Sequence, residues 1–105
     1  RPFDPDNPPL APHAFEVVAP QDGVVIGIDN LKLARIARLA GAPKAAGAGV
    51  DMAARIGDEL KAGQRLYTVY AAFRNELALA HRTSERDSGF TLGRRDQLTH
   101  LNVEM

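Results

Sequence analysis

The stretch best equipped to meet a phosphate is "GAPKAAGAGVDM", residues 41–52, where Lys44 is followed by the glycine pair Gly47 and Gly49. Glycines in such a loop let backbone N–H groups approach an anion closely. The dinucleotide-binding fingerprint, however, needs a third glycine where Met52 stands, and it opens a helix, whereas this run leads into a strand. The Gly-Lys-Ser/Thr ending of a P-loop is also missing. The spacing therefore assigns Gly47 and Gly49 to a structural turn and Lys44 to a solvated loop.

Metal and nucleophile chemistry lack the required spacing too. His13, His81 and His100 lie far apart, and none sits in a pattern that builds a metal site. Asp4 and Asp6 in "DPDNPP" resemble the start of a calcium loop, but the glycine and distal glutamate that complete one are missing. Ser84 and Ser88 fall outside any Gly-x-Ser-x-Gly setting, so cap or turn roles suit them. Asp58 and Glu59 are adjacent and point different ways on most backbones, a poor acid/base pair. Lys32, Arg35 and Arg38 make a basic series at near-threefold spacing, a solvated helix face that could also meet an anionic partner. No catalytic, cofactor-binding or metal-ligating residue is assigned.

Composition narrows the classes further. The chain has 105 residues, enough for one domain with a modest core. Lys plus Arg and Asp plus Glu are both 13, so no net field draws in nucleic acid or an anionic membrane. There is no cysteine, and therefore neither a disulfide framework nor a thiolate metal site, which fits the cytoplasm. No apolar run approaches the ~20 residues of a membrane span. The chain opens at Arg1 with "RPFDPDNPPLAPHAF", a proline-dense linker or extended arm that reads as the start of a piece of something longer.

The elements that must position these residues follow from pattern. "AFEVVAP" and "GVVIGID" are β-branched runs separated by "PQDG", the signature of a hairpin. "DNLKLARIARLAGAP" predicts a helix capped by Asp29 or Asn30, with Leu33, Ile36, Ala37 and Ala40 on one face, Gly41 past its end and Pro43 beyond. "GVDMAARI" predicts a half-buried strand with Val50, Met52, Ala54 and Ile56 inward, and "RLYTVYA" predicts another strand. Between them lies the polar corner Asp58 to Gly63, whose flanking Gly57 and Gly63 can take φ > 0 in a hairpin or a wider two-strand corner. "FRNELALAHRTSER" predicts a second helix with Phe73, Leu77 and Ala80 on one face. A last short strand is expected around Phe90 to Leu92, followed by a weakly ordered tail. The order points to an α+β fold, an antiparallel or mixed sheet with two helices gathered on one side. The expected organisation is an arm over 1–14, a domain over 15–93 and a polar tail over 94–105.

Taken in order, the "GVVIGIDN" strand, the helix ending in "AGAP", the "GAGV" loop and the corner "GDELKAGQRLYTVYA" resemble the C-terminal domain of the thymidine and pyrimidine nucleoside phosphorylase family. "ARLAGAPK" and "YAAF" resemble most closely the thymidine phosphorylase branch that stands beside the AMP phosphorylases. The resemblance implies an α/β-hammerhead, distantly similar to biotinyl and lipoyl carriers. It implies an enzymatic parent that carries out reversible phosphorolysis, releasing a free base and a sugar 1-phosphate. Phosphate would be a co-substrate, and no cofactor is implied. The catalytic groups of that family lie in its N-terminal and central domains, which become the expected partners of this chain, with a homodimer as a further assembly. The isolated chain is then expected to be inactive. An AMP phosphorylase parent, a carrier-like module using Lys61 near the tip of the corner, and a protein-interaction domain remain alternatives.

Overall fold

The computed structural model describes residues 11–98. Six strands and two helices follow in the order β1 (His13–Val18), β2 (Gly23–Ile28), α1 (Asn30–Leu39), β3 (Gly49–Met52), β4 (Glu59–Leu60), β5 (Arg65–Ala71), α2 (Arg74–Arg86) and β6 (Phe90–Gly93). A helical turn over 95–98 follows β6. The strands form two three-stranded sheets, β1-β5-β3 and β4-β2-β6, and all their pairings are antiparallel. The α+β expectation holds, but the single antiparallel or mixed sheet expected is two sheets, because β2 leaves β1 for a second one; both helices pack on the first sheet, α1 against β3 and α2 against β1 and β5.

β5 is the centre of the first sheet, pairing Val69 with Phe15 on one side and with Val50 on the other. A central strand covered on both faces reads as a continuous apolar run, which is why Leu66, Tyr67, Thr68 and Val69 are all buried. Thr68, on the opposite face from Val69, accepts a 2.6 Å hydrogen bond from the Arg65 guanidinium, which covers it. Tyr67 is fully buried and donates its hydroxyl to the Ser88 carbonyl at 2.7 Å. Burial, with the Asp87 charge as a lesser cause, raises its phenol well above the usual tyrosine range.

α1 forms as its pattern requires. Asp29 is the N-cap, its carboxylate accepting from Leu31 N–H at 3.0 Å and Lys32 N–H at 3.2 Å. Leu33, Ile36 and Ala40 face the core, and full burial of Ile36 stabilises the domain by about 1.5–3 kcal/mol. The helix stops because Gly41 takes φ +118°, with Gly41 N–H bonded to Arg38 O and Ala42 N–H to Ala37 O, the paired bonds of a Schellman motif. The peptide that follows, Ala42–Pro43, is cis. α2 runs antiparallel to α1: Lys32 near the start of α1 meets Asp87 beyond the end of α2, and Gly41 beyond the end of α1 lies beside Glu76 in the first turn of α2.

Three local expectations are corrected. β1 and β2 are not a hairpin, since they belong to different sheets. The tight hairpin turns need positive φ, and no residue over 19–23 has it. The chain instead crosses between sheets while Ala19 exchanges backbone hydrogen bonds of 2.8 Å with Gln64 and Gly63. β3 ends at Met52, because Ala53 and Ala54 N–H both turn to the Leu66 carbonyl, at 3.0 and 3.1 Å. Ala54 is thereby buried, while Met52 and Ile56, expected inward, are 43% and 48% exposed. Phe73 does not join the buried face of α2: it is the N-cap residue and is 62% exposed. Arg94 and Gln97 bond to each other across the helical turn at 95–98; the rest of the expected tail, 99–105, and most of the expected arm, 1–10, lie outside the described residues.

The polar corner turns out to be a wide connection. Gly57 and Gly63 take φ +94° and +89° as expected, and the residues between them supply β4 to the second sheet while β3 and β5 pair in the first. Gly57 N–H donates to Val25 O, and Val25 N–H to Asp58 O, so the corner is a strap joining the sheets.

Candidate functional site

The sequence-derived candidates occupy separate places with structural employment. Gly47 and Gly49 have φ +79° and +143° in the turn that delivers β3, and Ala48 N–H closes onto Ala45 O at 3.1 Å. Ser84 is buried on α2 and donates to the His81 carbonyl at 2.7 Å, while Ser88 Oγ accepts from Phe90 N–H at 3.2 Å. Asp58 caps its own turn by accepting from Arg55 N–H at 2.9 Å, and Glu59 points instead toward Arg95 at 3.4 Å. Lys61 is exposed and pairs with Asp22 at 3.8 Å. Asp4, Asp6 and His100 lie outside the described residues. Among the described residues no group of three or more His, Cys, Asp or Glu side chains could hold a metal ion, and no helix is long and apolar enough to cross a membrane.

The basic series on α1 divides into two parts. Lys32 is held by Asp87 and flanked by Asp29 at 4.0 Å. The Asp87 hydrogen bond and charge raise the Lys32 ammonium above its ordinary range, and Lys32, with help from Gly89 N–H, holds the Asp87 carboxyl below its own. Arg35 and Arg38 are exposed further along the same face. Arg38 reaches the end of the helix, where the 41–48 loop and the start of α2 enclose an open cleft of about 580 Å³. Ala42, Pro43, Ala45 and Phe73 give that cleft an apolar lining, and Arg38, Lys44 and Glu76 supply its charges.

Two features of this cleft escape a reading of the sequence. Phe73 begins α2 with no side-chain cap and stands largely in solvent. Glu76 Oε1 is buried against Gly41 with no hydrogen-bond partner among the described residues. The missing Ser, Thr, Asp or Asn before α2 is the one signal in the sequence that this helix start is unusual. A second pairing was equally hidden: His13 on β1 and His81 on α2 line a cavity of about 340 Å³ with Phe15, whose ring meets His81 edge-on at 4.8 Å.

The pyrimidine nucleoside phosphorylase C-terminal domain model matches residues 24–86, from β2 through the end of α2. The chain belongs to that family. Its relatives include a protein of Albidiferax ferrireducens named "Putative thymidine phosphorylase", 44% identical over 104 residues, which is 99% of this chain and 20% of the relative. Proteins of the same name from Rhodopseudomonas palustris and Methylococcus capsulatus are 48% and 47% identical over 79% and 86% of the chain. The chain spans about a fifth or less of the length of these curated relatives, 20%, 16% and 17% respectively. Among the surfaces of this phosphorylase C-terminal domain, the cleft between Pro43 and Phe73 joins an apolar lining to the charges of Arg38, Lys44 and Glu76.

Proposed function

We propose that the parent of this chain is a thymidine phosphorylase, in which phosphate attacks the anomeric carbon of a pyrimidine deoxynucleoside, the base departs, and deoxyribose 1-phosphate remains. The match to a relative of that name over 104 residues carries this reading. The chain itself contributes no catalytic group in this proposal. Its serines, its buried tyrosine and the acids of the corner are occupied in turns, caps and ion pairs, which supports that assignment. The reaction needs a preorganised cradle for phosphate and donors for the leaving base, and these belong to the preceding domains. The role of this α/β-hammerhead is to pack against them and limit their closure over substrate. The enzyme works in the cytoplasm with phosphate as co-substrate and no resident cofactor.

The test is phosphorolysis by the full-length parent, with thymidine, uridine and AMP each offered with phosphate and the released base separated by chromatography. Thymine and deoxyribose 1-phosphate should form from thymidine, and the 105-residue chain alone should release nothing. Turnover of AMP with thymidine untouched would replace the substrate with that of an AMP phosphorylase. No turnover of any of the three would overturn the reading.

A further inference from the structure

We propose that the cleft between the 41–48 loop and the start of α2 is the seat of the preceding part of the parent chain, which places an apolar side chain against Phe73 and a carboxylate between Arg38 and Lys44. This rests on the reading of the chain as the C-terminal domain of a phosphorylase. Phe73 is 62% exposed and borders a concavity that Ala42, Pro43 and Ala45 also line. An aromatic ring over an apolar hollow is the composition of an interface anchor, and scattered surface apolar residues lack the hollow.

Charge selects the chemistry of the occupant. Arg38 and Lys44 line the same cleft as Glu76, yet among the described residues neither cation has an ion-pair partner within 4.0 Å. Glu76 places one oxygen against Gly41 and forms an ion pair with neither cation within 4.0 Å. Lys32, at the other end of the basic series, is already engaged by Asp87. Arg38 and Lys44 thus bring two positive charges, without ion-pair partners among the described residues, to one cleft, and a carboxylate on the incoming surface complements them.

The path of the chain supplies the partner. Ala11 is buried and donates its N–H to Gly47 O at 3.3 Å, so the backbone enters the fold beside the loop that forms the cleft. The first of the relatives is about five times as long as the matched segment, and whatever precedes the domain is tethered at this point. A covalent tether raises the effective concentration of one neighbour without any new contact.

Zero-length carbodiimide cross-linking of the full-length parent, read by peptide mass spectrometry, tests the seat. The reagent joins the Lys44 amine to a carboxylate in direct contact with it. The expected product links Lys44 to an Asp or Glu of the preceding domains and falls about tenfold in Phe73→Asp and in Arg38→Glu, the scale of an interface anchor. Asp is a favourable N-cap, so Phe73→Asp leaves α2 intact and a lost link reports docking rather than unfolding. A Lys44 link confined to its own domain, one that joins light to heavy-isotope copies, or no Lys44 link while other lysines react would overturn the proposal. Phosphorolysis by the same preparation separates the two readings: activity without the link removes the seat alone, and the link without activity removes the phosphorylase alone.

Discussion

Gly63 isolates the cost of a left-handed backbone from every other cost. Its φ is +89°, and a Cβ built there meets no atom within 4 Å. Its N–H donates to Ala19 O at 2.8 Å, a bond that any residue except proline would retain. Substitution by alanine therefore changes neither packing nor hydrogen bonding in the native state, only backbone strain. The left-handed conformation costs about 1–2 kcal/mol for a residue with a Cβ, and alanine returns roughly 0.4–1 kcal/mol by restricting the unfolded chain. The net loss is about 1 kcal/mol for Gly63→Ala, larger for Gly63→Val, and smaller for Gly63→Asn, whose side chain tolerates this region. In the 105-residue chain about 1 kcal/mol corresponds to roughly 4–8 °C of melting temperature. Urea denaturation of the three variants, with the slope of the transition held constant, gives the comparison directly. Equal stability of wild type, alanine and valine variants would refute the positive-φ assignment at Gly63.

Other outcomes follow from the same geometry. Gly41→Ala should cost more than Gly63→Ala, because its Cβ would also lie 3.2 Å from Ala45 Cβ and 3.3 Å from Glu76 Oε1; urea midpoints compare the two directly. Tyr67→Phe leaves the Ser88 carbonyl without its donor and should lower stability by about 1 kcal/mol in chemical denaturation. The Asp87 carboxyl is held below its ordinary value of 3.8, so the unfolded state binds the proton first on acidification. Its contribution is complete above that value and is lost as pH falls through the lowered native one. Asp87→Asn should therefore be less stable than wild type near neutrality, and the gap should close as the pH drops below the native value. Lys32→Met should behave alike on the acid side, and the stability its raised ammonium supplies should fade only as pH climbs beyond 10.5.

Where the sequence was legible, one local rule acted alone. α1 announces a cap at Asp29 or Asn30, an apolar stripe over Leu33, Ile36, Ala37 and Ala40, and a stop at Gly41; Asp29 is the cap, Leu33, Ile36 and Ala40 are buried with Ala37 only half-buried, and Gly41 ends the helix. The two positive-φ glycines of the corner were equally readable, since glycine between polar residues has few other uses there. The errors arose where the partner of a segment is remote. The turn "PQDG" looks the same whether β2 folds back on β1 or departs to a second sheet, and the outcome is decided by Gln64 and Gly63, some 40 residues on. The alternation in "GVDMAARI" fails because two successive N–H groups share the Leu66 carbonyl, a contact that only the neighbouring strand supplies.

The cleft was illegible for a related reason. Periodicity counts Phe73 as the first apolar residue of α2 and so assigns it to the core, but a residue at the N-cap precedes the helical turn and does not share its buried stripe. The ring is left outside while Leu77 and Ala80 point in, and the 41–48 loop, ended by its own glycines, closes the hollow beneath it. No single segment encodes that concavity. It exists because the antiparallel packing of α1 and α2 brings the C-terminal stop of one helix, Gly41, against the uncapped start of the other at Glu76. A helix start that lacks a capping side chain and retains an apolar residue at that position is thus a sequence cue to an unfinished surface, and the carbodiimide test at Lys44 asks what finishes it.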